Sequence, residues 1–498
     1  MSGIASTPGS PGAIPVPGTD PLAAELARVW PDHGRSVREP VPLLALLAGL
    51  VAAVLLVDQP PGLGVLLTGL AVGAAVLPAA RRRLGLHELG YATLGVLLLA
   101  GVVVRDAPWF VALCLLAAAG VASFALAPAR TLVGGLLGGV SLPLAALRCP
   151  PWLRRGLQPR ATGLASSWLP ALRVAGLTGV LLLVFGSLFA AADAAFASLI
   201  PRPDLGLVPL RIVVLLVVAG VAVSAAFLGA APPRWDVLAP APARPVRTAE
   251  WLVPIAVLDA MFVTFVTVQL AVLFGGHRHV LDTAGLTYAE YARGGFGQLV
   301  VVTLLTLSVV AATVRWAPRT TLRQRMTLRA LLGVLALLTL VIVASALYRL
   351  HLYEEAFGFT RLRLFMNAFE LWLGALVVLV LVAGVRLRAA WLARAVVATA
   401  AVGLLTLGAL NPDGFVAERN VDRYLATGKL DVYYLQGLSA DAVPVVDRLP
   451  EPMRSCVLGG MRAATWPTGG LGGWNVGRSR AADLLAAHPV RVPAACST

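Results

Sequence analysis

Seven ionisable or amide side chains interrupt stretches that are otherwise apolar: His87, Glu88, Asp193, Asp259, Gln269, Asn367 and Glu370. A charge held at mid-bilayer costs ~2.5–3.5 kcal/mol or more, so such a group seeks a partner, water or a proton. His87 and Glu88 follow Arg81, Arg82 and Arg83 by about one turn and suit a membrane interface. Asp193, Gln269, Asn367 and Glu370 fall near the ends of their runs on one side, where they can converge with Arg349 in one polar cavity. Asp259 stands seven residues into its run, ~10 Å deep at 1.5 Å per residue. It is either a protonated carboxyl bonded to a neighbouring helix or a proton or ion site.

A second polar set is compact and carries both signs: Arg349, Glu354, Glu355, Arg361 and Arg363, with Arg293 in the loop before it. It can be a solvated loop with surface ion pairs, a docking platform or the mouth of a pocket. Other chemistry finds little support. His277 and His279 lack a third and fourth ligand for zinc. Asp282, Glu354 and Glu355 do not converge by spacing. No nucleophile elbow, metalloprotease helix or phosphate loop is present, and the four cysteines show no zinc or redox spacing. No cofactor, metal or catalytic residue is expected.

The elements that must position these groups are transmembrane helices. Of 498 residues 58% are hydrophobic and 13% charged, with mean hydropathy +0.83. Soluble domains carry about 25% charged residues, so water cannot be the solvent for most of this chain. Eleven apolar runs, near 41–57, 62–80, 85–104, 109–127, 175–198, 208–230, 252–274, 297–314, 330–348, 365–385 and 391–410, approach the ~20 residues that a helix needs to cross a bilayer. In lipid the backbone must satisfy itself, which dictates helix. The expected fold is therefore all-α, a polytopic transmembrane bundle of about eleven spans with a small C-terminal extracytoplasmic helical domain.

Arginine gives the sidedness. Formal charge is +15, but the bases sit between spans rather than in a soluble patch, which argues against nucleic acid. Arginines gather in alternate loops: 81–83; Arg130, Arg148, Arg154, Arg155 and Arg160; Arg234, Arg244 and Arg247; Arg315 to Arg329; Arg386 and Arg388. By the positive-inside rule these loops are cytoplasmic. The rule holds only if the glycine-rich stretch 131–147 does not cross. The expected parts are a disordered Pro/Gly-rich cytoplasmic tail at 1–40, four spans at 41–127, a basic interfacial segment at 128–174, seven spans at 175–410 and an extracytoplasmic helical domain at 411–498. The N-terminus lies inside and the C-terminus outside. Within the tail, Asn411-Pro412 reads as a helix start and Gly428 as its stop. On the oxidising side Cys456 and Cys496 can pair or stay as thiols.

Long stretches resemble a bacterial family of polytopic membrane proteins known as domain of unknown function 4173. They are Gln269–Gly276 with Leu286–Leu299; Ser345–Leu350 with Tyr353–Leu364; Asn411–Tyr424 with Leu435–Pro444; and Ala191–Phe196. The resemblance covers roughly 175–490. It implies a polytopic membrane fold and singles out Asn411, Asp413, Glu418, Arg419, Asn420, Arg423, Tyr424 and Asp441 in the C-terminal segment. It implies no activity. The expectation is a non-enzymatic scaffold or envelope sensor in the cell membrane, with the bilayer and an envelope or membrane protein as partners. The alternatives are an ion or small-solute transporter using Asp259, and an enzyme acting on envelope lipid or glycan.

Overall fold

The computed structural model describes residues 27–31, 37, 38, 40–80, 85–157, 177, 178, 181, 185, 188, 205–239, 246–274, 296–386, 389–461 and 470–491. Among them every regular element is helical. The apolar runs form α1 (Pro40–Leu55), α2 (Leu63–Val76), α3 (Leu86–Val104) and α4 (Pro108–Leu126). Two short helices follow, α5 (Leu132–Gly139) and α6 (Ser141–Arg148). The remaining long ones are α7 (Val208–Ala230), α8 (Thr248–Phe274), α9 (Phe296–Trp316), α10 (Leu322–Phe357), α11 (Arg361–Arg386) and α12 (Leu392–Ala409). Eight of these, α3, α4 and α7 to α12, contain stretches long and apolar enough to cross a membrane. At 16 and 14 residues, α1 and α2 are apolar but shorter. The run at 175–198 lies almost wholly outside the described residues. Large apolar side chains cover the outside of the bundle, among them Leu116, Leu216, Val257, Leu305 and Leu371. Such a surface is stable against lipid tails and not against water. The chain is a multi-pass helical membrane protein.

Packing divides the helices into three groups. In the first, α1 lies between α2 and α7, around Val41, Ala45, Ala48, Ala226 and Phe227. In the second, α3 and α4 form a hairpin against α12. In the third, α10 packs on α8, α9 and α11, through Phe262, Val266, Leu335 and Ile342. Contacts of α2 with α3 and of α11 with α12 join the groups.

Three segments take forms that the sequence left open or gave differently. Residues 131–147 form two eight-residue helices broken at Val140, each ~12 Å long and unable to span. They are bonded to the end of α4 and to the short turn beyond α7: Ser123 Oγ donates to Gly138 O (2.6 Å) and Trp235 Nε1 to Ser141 Oγ (2.6 Å). Second, the loop expected at 349–364 is mostly helix. The 36-residue α10 runs to Phe357 and α11 starts at Arg361. Only 358–360 turn, with Gly358 at φ 79° closing α10. A capping box of Thr321 and Gln324 starts α10, and no breaker interrupts it. At ~54 Å it exceeds the bilayer core, so its charged ends stand outside lipid. Third, the 1–40 tail, expected to be mostly disordered with a short helix at Leu22–Trp30, is docked at the end of that stretch. Trp30 is buried, stacks on Phe227 and donates to Ala231 O (2.7 Å).

Beyond α12 come α13 (Pro412–Thr427), α14 (Val432–Gln436), α15 (Val443–Val446), α16 (Met453–Gly460) and α17 (Val476–Ala487). Their core is not separate from the bundle. Val416, Val421, Leu435, Val457, Leu458 and Met461 belong to one apolar cluster with Leu98, Val102, Phe110 and Cys114 of α3 and α4. At Gly472 the chain lies so close to α1 that a Cβ would stand 2.1 Å from Leu55 O. The turns after α1, α3, α10 and α12 all meet this C-terminal segment, so they share one face of the bundle.

Candidate functional site

The polar groups at that shared face form a buried ion-pair junction. Pro412 starts α13, which puts Asp413 in its first turn, where the helix dipole favours a carboxylate. Arg361 is the first residue of α11. Its Nε donates to Asp413 Oδ1 (2.8 Å) and its Nη2 to Asp413 Oδ2. Trp109 Nε1 of α4 adds a bond to Oδ1 (3.2 Å), and Ser439 N adds one to Oδ2 (2.8 Å). Asp413 is fully buried, and four donors satisfy it. Burial works to raise this carboxyl, but the Arg361 guanidinium and Ser439 outweigh it and hold the group below the ordinary range. Tyr434 locks the arginine's own backbone, its hydroxyl accepting from Arg361 N (2.6 Å).

A second carboxylate pair ties the α3–α4 turn to the C-terminal segment by exchange. Asp441 Oδ2 accepts from Asp106 N (2.7 Å) and Ala107 N (3.2 Å), which caps α4. In return Asp106 Oδ2 accepts from Ala440 N (3.3 Å). Arg478 of α17 pairs with Asp106 Oδ1 and also donates to Pro61 O (2.8 Å) and Gly473 O (2.5 Å). Helix ends are covered as well. Arg105 Nε donates to Gly408 O (2.7 Å) at the end of α12. Asn475 Nδ2 donates to Val102 O (2.9 Å) and Arg105 O (3.1 Å) at the end of α3. Burial raises the Asp106 carboxyl against the pull of Arg478. Burial likewise pushes Asp441 up to about 6, and its Oδ1 has no hydrogen-bond partner.

Three aspartates thus face three arginines, so the charges of the junction balance. Each bond serves to fix one element on another. No group of three or more metal-ligating side chains occurs among the described residues.

Arg361, Asp413, Asp441 and Asn411 are the sequence-singled residues that meet here. Asn411 precedes α13 as expected but does not cap it. Its backbone is left-handed (φ 55°), and its Nδ2 reaches Asp441 O (3.2 Å). Next to the junction, Asn420 bonds the Phe359 peptide on both sides, and Arg419 lies over the Phe359 and Phe415 rings. The Tyr424 carbonyl accepts from Gly428 N at the αL stop of α13. Glu418 pairs loosely with Arg448 (3.7 Å) at the surface, and Glu355 pairs with His351. Around Gly358 are Arg363, which donates to its carbonyl, and Arg423, whose guanidinium lies close by.

The single polar cavity expected near Arg349 divides into separate clusters. Gln269 accepts from Arg349 and from Ser345 (3.4 Å). Asn367 donates to Glu354 (2.7 Å) elsewhere. The reason is helical geometry: Arg349 and Glu354 are five residues apart, ~140° around α10, so one faces α8 and the other α11. Glu370 and Asp259 are buried, with no hydrogen-bond partner for either carboxyl. Asp193 and Arg293 lie outside the described residues. Cys456 is disulfide-bonded and Cys114 and Cys149 are free; Cys496 lies outside the described residues. The sequence reading missed Arg105, Asp106, Asn475 and Arg478. Their signal was a charged pair wedged between two apolar runs, and an asparagine placed to cap α17.

A family model described as Domain of unknown function (DUF4153) matches residues 92–449. The chain belongs to that family. This corrects the resemblance to domain of unknown function 4173. The match also begins earlier than the quoted stretches, so most of α3, all of α4 and the Asp106 turn between them fall within it. No curated protein and no solved structure matches the chain.

Proposed function

We propose that this DUF4153 protein is a non-enzymatic scaffold or sensor of the cell membrane that holds its C-terminal helices firmly at the extracytoplasmic face. One observation carries the reading: the polar groups concentrated at that face are spent on joining elements, as in the four-donor site of Asp413. A catalytic site would leave a nucleophile or base free to meet substrate. The sidedness rests on the arginine distribution, and the arginine-rich opposite face suits anionic lipid at about 1 kcal/mol per residue. Alkaline phosphatase, which is active only outside the cytoplasm, should be active when fused after Leu430 and silent after Thr320. The reverse pattern overturns the proposal.

A second reading is ion transport, and Asp259 favours it. The side chain shares a face of α8 with Phe262 and Val266, which pack toward α10, and both its oxygens lack partners. Reconstituted protein should then carry a proton or ion flux that Asp259→Asn abolishes. An unchanged flux removes Asp259 from the path.

A further inference from the structure

The seam between α10 and α11 is among the most extensively packed helix pairs in the bundle. On α11 the stripe Glu370, Leu373 and Val377 is buried almost completely. Gly374, beside it, meets Val343 of α10, where a Cβ would stand 3.3 Å from the Val343 side chain. An acid therefore occupies a position whose spacing and neighbours call for leucine. Glu370 is 0% exposed, and neither carboxyl oxygen has a hydrogen-bond partner. It stands nine residues into α11, ~13 Å from the start of a helix that crosses about 30 Å of hydrocarbon. An ionised carboxylate there is costly, so the group holds a proton at rest.

Two polar side chains lie between this position and the face that carries the junction. Asn367 is one turn nearer that face on the same side of α11, and its Nδ2 donates to Glu354 Oε1 (2.7 Å). Glu354 is also buried, and Arg363, His351 and Arg419 are the charged groups that act on it. The remaining charges on packed elements lie elsewhere. Arg349 turns to Gln269, while Arg394 of α12 and Arg315 of α9 sit at the far ends of their helices. Glu354 and Asn367 thus form a bonded pair, and Glu370 stands one turn deeper on α11 with no bond to either.

We propose that Glu370 is an exchangeable proton-binding site within the membrane, loaded and emptied from the face on which Asn367 and Glu354 lie. The ligand is the hydrogen ion: it adds to one Glu370 oxygen on loading and leaves from the same atom on emptying. A divalent metal held by side chains would need several charged ligands, and no group of three or more His, Cys, Asp or Glu occurs among the described residues. The inference is independent of which of the two functional readings holds.

Dicyclohexylcarbodiimide tests it, because that reagent adds to protonated carboxyls in apolar surroundings. Full-length protein in detergent is treated from about pH 5 to about pH 9, and adducts are located by peptide mass spectrometry. Glu370 should be modified at the acid end, and the initial rate should fall by about tenfold per pH unit beyond its titration midpoint. Glu370→Gln should lose that adduct. Should this variant fail to fold, the wild-type pH profile decides alone. Absence of the adduct at every pH overturns the proposal. So does a rate that ignores pH, which marks a permanently protonated packing residue. Protection by sodium but not by choline at fixed pH also overturns it, in favour of a metal-cation site.

Discussion

At the scale of residues, the junction is a set of buried charges whose cost is offset by pairing, most fully at Asp413. Removing one member of a buried pair typically costs 3–5 kcal/mol, because the other is left charged and dry. Arg361→Ala should therefore lower the thermal midpoint of the detergent-solubilised protein far more than Arg448→Ala, whose partners Glu418 and Asp422 are half exposed. Equal shifts would contradict the ranking. Acidity should act through Asp441. Its folded carboxyl titrates near 6 and an unfolded one near 3.9. The folded state then binds the proton more tightly, so stability is greatest at low pH and is lost as pH rises from about 4 to about 6. Asp106, raised by burial, adds in the same direction. Asp413, held low by Arg361, opposes them only where pH falls through its depressed folded value. Melting curves across that window should slope for the wild type and flatten for Asp441→Asn. Arg361 was legible in the sequence because charges are conspicuous in an apolar chain, and Asp413 and Asp441 lay in stretches that the family resemblance singled out. The pairings were not. Arg478 and Asp106 are 372 positions apart, and no periodicity links them.

At the scale of elements, hydropathy located the apolar middle of each long helix but not its ends. The run at 330–348 marks only about half of α10, because helix continues wherever no breaker stops it. Thr321 and Gly358 set its true limits, through a capping box and a positive φ. Gly428 was read correctly as a stop because a left-handed residue there needs no long-range partner. Asn411 was misread as a cap because a tertiary bond to Asp441 claimed its side chain. Close backbone approach is equally invisible in a sequence that holds 49 glycines. The contact at Gly472 gives it a consequence. Gly472→Val places carbon against the Leu55 backbone, an overpacking worth about 1–3 kcal/mol. The C-terminal helices should come away from α1, and limited proteolysis should cut Asn411–Arg491 several times faster. Gly73→Ala is the control: nothing lies within 4 Å of its Cβ, and its digestion pattern should match the wild type.

At the scale of the whole molecule, composition alone required lipid, and the helical bundle follows from that. The arrangement of its groups did not. Hydropathy treats all spans alike, whereas packing assigns α1, α2 and α7 to one group and α8 to α11 to another. The C-terminal segment reads as a separate domain because its charges return, yet its core continues into α3 and α4. The phosphatase fusions belong to this scale, since the sign of the whole architecture depends on which face carries the junction.

The span of the Asp106–Arg478 pair also sets an order of events during synthesis. At roughly 5–20 residues per second, the ribosome needs on the order of 20–75 seconds to travel from one codon to the other. Through that interval the α3–α4 hairpin holds an acid with no guanidinium to meet it. The hairpin cannot reach its final state while the polypeptide is still being made, and the closing step belongs to a nearly finished chain.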